Sequence, residues 1–113
     1  MLSNRAWRAA RMVVDTGLHV FGWSRERAIE FMLEHTALSP DQAAQEIDRY
    51  IAWFGQAPSY QLGYEEILAL RTEAEQRLGA RFDRRAFHDV VLAGGGQTLP
   101  VLSARVREWI EAQ

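Results

Sequence analysis

The sequence contains no cysteine and no lysine, and each absence excludes a class of chemistry. All 13 basic residues are arginine. Without cysteine there can be no disulfide, no thiolate nucleophile and no thiolate metal ligand. Without lysine there can be no Schiff-base nucleophile and no phosphate-binding loop of the G-x-x-x-x-G-K-[ST] type. Any chemistry must therefore come from arginine, histidine, carboxylate and hydroxyl side chains.

Long apolar runs and a concentrated basic surface are also missing. No apolar stretch approaches the roughly 18 residues that would span a bilayer. The net charge is −2, and basic and acidic residues are interspersed along the chain, whereas phosphate backbones are bound by concentrated positive charge. Arg5, Arg8 and Arg11 are not followed by the long apolar block of a signal peptide. We therefore expect a cytoplasmic protein with neither nucleic acid nor membrane as its partner.

Composition and hydrophobic spacing predict the fold class. With 113 residues, 48% of them hydrophobic and 25% charged, the chain reads as one globular helical domain covering residues 1–113. Apolar residues recur at three- and four-residue steps, which is the period of a helix packed on a core. The sequence predicts an all-α protein, a compact array of about six helices, without strands.

Turn and capping residues place the helix ends. Ser39-Pro40-Asp41-Gln42 has the form of a capping box with proline at the first helical position. Asp83 is placed to cap a short fifth helix, flanked by Phe82 and Phe87 in the positions of a hydrophobic staple, and Gly79 is placed to end the fourth. The predicted helices are 4–20, 24–36, 39–55, one after Pro58 that ends at Gly79, a short one after 83, and 100–112. Residues 55–59 are expected to form an irregular connection.

The same spacing predicts which side chains form the core. The expected core residues are Trp7, Ala10, Val14, Leu18 and Phe21; Ala28, Ile29, Met32 and Leu33; Ile47, Tyr50, Ile51 and Phe54; Tyr60, Gly63, Ile67, Leu70, Ala74 and Leu78; and Leu102, Val106, Trp109 and Ile110.

A polar ridge runs beside the apolar stripe of the first helix. Arg11, Asp15 and His19 are spaced four residues apart and face the same side. A carboxylate in the middle of such a ladder can pair with the guanidinium and orient the imidazole, as in working histidine sites. The alternative is a surface Arg-Asp pair with a histidine near a helix C-terminus, where a cation is favoured. Gly17 lies inside this helix at a cost of about 1 kcal/mol relative to alanine, which suggests a close approach to the backbone.

Several segments of the sequence resemble a bacterial family of unknown function, DUF885. The residues that carry the resemblance are 7–19, 22–29, 32–34, 36–39, 48–53, 55–56, 87–92 and 99–102. Full-length members resemble zinc metallopeptidases of the H-E-x-x-H type, and the zinc motif lies upstream of the region that matches. The resemblance implies that this chain is a C-terminal part without the zinc-binding half.

The resemblance also implies roles for individual residues. Arg11, Asp15, His19 and Tyr60 would be inherited positions that bind substrate or stabilise a transition state. A phenol at Tyr60 would donate to developing negative charge, although its spacing favours a core position in the fourth helix. His19 would act as a similar donor, with Asp15 fixing its orientation, and Arg11 would bind a carboxylate or neutralise Asp15.

Metal binding and catalysis are not expected of the chain alone. Its three histidines, His19, His35 and His88, show no tight ligand spacing. We expect no metal site, no cofactor and no catalytic residues in isolation, with zinc present only in a complete family member.

Two functions remain open. The first is a substrate-binding or structural segment of a zinc-metallopeptidase-like protein, partnered by an upstream catalytic half. The second is a free-standing helical module for protein–protein interaction, without an enzymatic role. The aromatic content, four Trp and five Phe, also makes self-association a candidate partner interaction, because exposed apolar patches usually mark interfaces.

Overall fold

The computed structural model describes residues 2–113, with side chains from Asn4 onward. Their regular structure is entirely helical, as predicted. The elements are α1 (Leu2–His19), α2 (Arg25–His35), α3 (Pro40–Ala52), α4 (Gln56–Leu78), a short 3₁₀ turn (Gly79–Arg81), α5 (Arg84–Ala93) and α6 (Leu99–Glu111).

The chain divides into two compact units at Leu62 and Gly63, within α4. Unit 1 contains α1, α2, α3 and the start of α4, and unit 2 contains the rest. Each has its own core. The prediction of a single domain stays a prediction.

The core of unit 1 lies where α1, α2 and α3 meet. Its buried hydrophobic residues are Ala10, Val14, Ala28, Met32, Ala43, Ile47, Tyr50 and Ala57. Small residues on α1, α2 and α3 let the helices approach closely, so Met32, Ile47 and Tyr50 fill the remaining space. The periodicity of the sequence correctly identified most of this set.

The core of unit 2 is built from α4, α5 and α6. Its buried residues are Leu70, Ala74, Leu78, Phe87, Leu102, Val106 and Ile110. The predicted staple is present, with the rings of Phe82 and Phe87 6.1 Å apart. The Asp83 carboxylate caps α5 by accepting from the backbone N–H groups of Arg85 and Ala86 at 2.7 and 3.3 Å.

The capping box of α3 is confirmed. The Gln42 N–H donates to Ser39 Oγ at 3.3 Å, and the Ser39 N–H donates to Gln42 Oε1 at 3.0 Å. Because Pro40 has no N–H, the box satisfies two of the three N–H groups at the helix start that have no partner within the helix.

The junction between α3 and α4 differs from the prediction. Helix α3 ends at Ala52, and α4 begins at Gln56 rather than after Pro58. The expected irregular connection at residues 55–59 was wrong, because residues 56–59 are helical. Proline is tolerated there, since an N–H in the first turn has no partner within the helix. The chain reverses at Gly55, whose φ of +75° is a left-handed conformation that glycine adopts without strain.

Several predicted core positions are exposed. Phe21 is 70% exposed and Phe54 is 75% exposed. The same correction applies to Leu33, Ile51, Tyr60 and Ile67. These residues have the spacing of a buried face, but each of them is more than a third exposed.

Candidate functional site

The ridge of α1 is buried along much of its length. Arg11 is 5% exposed and Asp15 is 4% exposed, while His19 is half-buried. Charged side chains are rarely buried unless they are paired. The alternative of a surface pair for Arg11 and Asp15 was therefore wrong.

Arg11 is surrounded by aromatic rings. Its guanidinium carbon lies 5.6 Å from the ring centre of Trp7, 5.3 Å from that of Tyr50 and 5.2 Å from that of Tyr60. Aromatic faces carry partial negative charge and attract such a cation. Its Nη2 donates to Gln56 Oε1 at 3.2 Å. Arg11 thus links α1 to α3 and to the first residue of α4.

A second arginine reaches the same amide oxygen. Arg49 Nη1 donates to Gln56 Oε1 at 3.3 Å, and Arg49 Nη2 donates to Glu46 Oε2 at 2.6 Å. The Tyr50 hydroxyl donates to the same carboxylate oxygen at 2.5 Å and accepts from the Trp7 indole N–H at 3.3 Å. A continuous polar network therefore surrounds the Arg11 guanidinium.

This network shifts the pKa values of Tyr50 and Glu46. Burial of the Tyr50 hydroxyl, together with its hydrogen bond to Glu46, raises the pKa of Tyr50 to about 12. Burial alone would raise the pKa of Glu46, but hydrogen bonds from Arg49 and Tyr50 outweigh it and hold that pKa below its ordinary value. Tyr50 therefore stays protonated and Glu46 stays ionised across the neutral range.

Asp15 does not join the predicted ladder. Its Oδ1 is buried without a hydrogen-bond partner, and so is Arg11 Nε. Within the part of the chain that the structure describes, no salt bridge joins the two residues. The relay expected from the four-residue spacing was wrong, because the Arg11 guanidinium is directed to the aromatic rings and to Gln56. The structure leaves a buried donor and a buried acceptor unpaired on one helix face.

His19 is held by the backbone of α3 rather than by Asp15. Its Nε2 lies 3.0 Å from the carbonyl oxygen of Tyr50. Since a carbonyl only accepts, Nε2 carries the proton in this geometry. The imidazole also meets the ring of Phe54 edge-on, with centroids 4.9 Å apart. The imidazole orientation is therefore set by α3 and not by the predicted carboxylate.

Tyr60 belongs to the first turns of α4 and is 48% exposed. Besides facing Arg11, its ring lies 5.3 Å from the guanidinium carbon of Arg8. It is thus neither a core residue nor part of a loop. The structure brings Tyr60 and Arg11 together, and it places His19 two helical turns further along α1.

Metal ligands do not gather in the described residues. Nowhere in residues 2–113 do three His, Asp or Glu side chains come together in a way that could hold an ion. His35 Nδ1 contacts the Phe31 carbonyl at 2.9 Å, and its ring stacks on Phe31 at 4.1 Å. His88 lies exposed on α5 in unit 2. These surroundings do not fit zinc.

Comparisons with known proteins identify the family. The model of a family described as bacterial protein of unknown function (DUF885) matches residues 1–106. The chain belongs to this family.

One solved structure is very similar. The crystal structure of the putative lipoprotein from Colwellia psychrerythraea matches with a TM-score of 0.97 and 47% sequence identity. The match covers 99% of this chain and 19% of that chain, so the protein described here spans about a fifth of its relative's length. No curated protein matches.

No helix of residues 2–113 combines the length and the apolar character needed to cross a membrane.

Proposed function

We propose that this chain is the C-terminal substrate-binding and structural segment of a zinc-metallopeptidase-like protein, and that it catalyses nothing by itself. The observation that carries the proposal is the coverage of the match, 99% of this chain against 19% of the longer relative. A polypeptide that reproduces one fifth of a larger structure at a TM-score of 0.97 is well suited to act as a segment of such a structure.

The unpaired buried charges support this proposal. A buried polar atom without a partner costs about 1–3 kcal/mol, and both Arg11 Nε and Asp15 Oδ1 are in this state. A surrounding protein or a bound substrate would supply the missing partners. In the isolated chain no partner offsets this free-energy cost.

His19 and Tyr60 would contribute donors to developing negative charge. The Tyr60 hydroxyl can donate while remaining neutral. Neutral His19 uses its one proton on the Tyr50 carbonyl, so it would donate to a substrate only as imidazolium. Arg11 would bind a substrate carboxylate with its guanidinium, which now donates to the Gln56 amide.

A chimera tests the proposal. The matched fifth of the Colwellia psychrerythraea protein is replaced by this chain, and zinc content and peptide hydrolysis are compared for the parent, the chimera and the isolated chain. We expect parent and chimera to hold zinc and hydrolyse peptides, and the isolated chain to do neither. Turnover by the isolated chain that survives repurification, or an inactive parent, would overturn the proposal.

The alternative function, a free-standing interaction module, is favoured by a different observation. Very exposed apolar side chains gather at the ends of α1 and α3, an area that we call the apolar end of unit 1: Val20, Phe21, Ile51, Trp53 and Phe54, which are 46–75% exposed. Either the zinc-binding half of a metallopeptidase-like protein or an independent partner would cover them. If the chain is an interaction module, it would bind its partner, and the chimera would lose the peptide hydrolysis of the parent.

The cytoplasmic location stays a proposal. The Colwellia psychrerythraea relative is described as a putative lipoprotein, which would place it in the cell envelope. Fractionation of cells that express the natural gene distinguishes the two locations. Recovery in the membrane fraction would contradict the cytoplasmic expectation.

A further inference from the structure

A neutral amide oxygen lies between two guanidinium groups at the start of α4. Gln56 Oε1 accepts from Arg11 Nη2 at 3.2 Å and from Arg49 Nη1 at 3.3 Å. Hydrogen bonds from a guanidinium to a carboxylate are shorter and roughly twice as strong as those to a neutral acceptor. The long distances here indicate that Gln56 is a weak occupant of a position suited to an anion.

Arg11 supplies a second and independent sign of a missing ligand. The residue is only 5% exposed, yet its Nε has no hydrogen-bond partner. Among the described residues, Arg11 also forms no salt bridge with any carboxylate. Its Nη2 is aimed at the first residue of α4, where the helix dipole adds favourable potential for negative charge.

The arrangement of donors suits a carboxylate. Arg8 and Arg11 face the ring of Tyr60, and Arg49 faces that of Tyr50. The two oxygens of a carboxylate match the two guanidinium groups that now share one amide oxygen.

The position can be reached from the surface. The Arg49 side chain is 36% exposed and Tyr60 is 48% exposed. A carboxylate entering beside these two residues needs only to displace the Gln56 amide, which is half-buried at the end of a flexible side chain. Each carboxylate oxygen can then accept from one guanidinium.

We propose that Arg11 and Arg49, now bridged by Gln56, form a subsite for the carboxylate of a peptide. The inference rests on the proposed function, since it names the part of a peptide substrate that unit 1 would recognise. Arg11 is the buried anchor and Arg49 the exposed partner. Tyr60 lies beside the bound group, where its ring can contact the adjoining apolar side chain.

Titration of the chain itself tests this subsite. N-acetylalanine, its neutral amide and inorganic phosphate are each added, and proton–nitrogen spectra follow the indole N–H of Trp7, which donates to Tyr50. We expect a saturable shift of the Trp7 signal with N-acetylalanine only, while the signal of Trp109 in unit 2 stays fixed. No saturable shift, an equal shift with the amide, or preferential binding of phosphate would each overturn the proposal.

Two substitutions sharpen the test. Arg49→Gln should weaken binding on the order of tenfold, since one charged donor is lost. Gln56→Glu places a carboxylate of the chain itself between the two guanidinium groups, so it should abolish binding and raise the Tm. Gln76→Glu, at an exposed position of α4 in unit 2, is the matched control and should change neither carboxylate binding nor the Tm. A lower Tm for Gln56→Glu would contradict the anion site.

The subsite and the proposed function can fail separately. Carboxylate binding is measured on the chain alone, without zinc or turnover. An inactive chimera with intact binding would reject the peptidase proposal and retain the subsite. An active chimera without carboxylate binding would reject the subsite and retain the peptidase proposal.

Discussion

The indole ring of Trp23 lies against the backbone of Gly17. A Cβ added at Gly17 would lie 2.5 Å from Trp23 Cδ2, far inside the normal contact distance. The backbone N–H of Trp23 also donates to the Gly17 carbonyl at 2.9 Å. The guanidinium carbon of Arg27 lies 4.2 Å from the centre of the indole ring. The close approach expected at Gly17 is thus made by the chain itself, so this glycine serves packing.

Gly17→Ala should therefore destabilise the protein. Overpacking costs about 1–3 kcal/mol, which outweighs the gain of about 1 kcal/mol from replacing a helical glycine by alanine. Urea unfolding measures the difference.

Two further variants identify the cause of that loss. Gly63→Ala is the matched control, because a Cβ there meets no atom within 4 Å, and it should stabilise. In a Trp23→Ala background, Gly17→Ala should become stabilising as well. If it stays destabilising there, the indole contact is not the cause.

Tyr50 gives unit 1 a pH dependence in the alkaline range. Its pKa is about 12 in the folded protein against an ordinary value of 10.0, so folding favours the protonated phenol. This contribution to stability is fully present below pH 10 and is lost as the pH rises through 12.

Spectrophotometric titration of the folded protein checks this dependence. We expect one phenol to ionise near pH 12 and this step to disappear in Tyr50→Phe. The variant should also lose about 1 kcal/mol at neutral pH, because the hydroxyl bonds with Glu46 and Trp7 are removed. An ordinary tyrosine titration in the wild type would contradict the buried network.

The apolar end of unit 1 should make the isolated chain self-associate. Phe21 and Phe54 are 70% and 75% exposed, and burying such side chains against a second copy is favourable by about 1.5–3 kcal/mol each. Sedimentation velocity over a range of concentrations should show a rising average mass, and Phe21→Ser with Phe54→Ser should suppress it.

Leu92→Ser is the control for that experiment. Leu92 is 74% exposed in unit 2, so its replacement tests whether exposure alone drives association. Equal suppression by Leu92→Ser, or a monomer at every concentration, would show that the apolar end is not an association surface.

Local chemistry predicted most of the fold, and long-range contacts explain where prediction failed. Capping residues such as Ser39 and Asp83 act within one turn, so their sequence signals are sufficient. Pro58 suggested a break, although proline is also compatible with the first turn of a helix. Phe54 has a core spacing but is exposed, because periodicity identifies an apolar face without identifying what covers it.

The site was harder to predict for the same reason. Spacing alone placed Arg11 and Asp15 on one face, but not the rings that draw the guanidinium away from the carboxylate. Gln56 is 45 residues from Arg11 in the chain, and an uncharged amide gives no local signal of its role. Arg49 and Glu46 were missed likewise, although their i, i+3 spacing on α3 was a usable sign of a pair.

The most direct test of the central claim is the peptide hydrolysis rate of the chimera carrying His19→Ala. His88→Ala, at an exposed histidine of unit 2, is the control. If this chain contributes transition-state binding to a larger enzyme, His19→Ala should lower kcat on the order of a hundredfold with zinc content unchanged, and His88→Ala should leave kcat intact. An unchanged rate in an active chimera after His19→Ala would contradict the account.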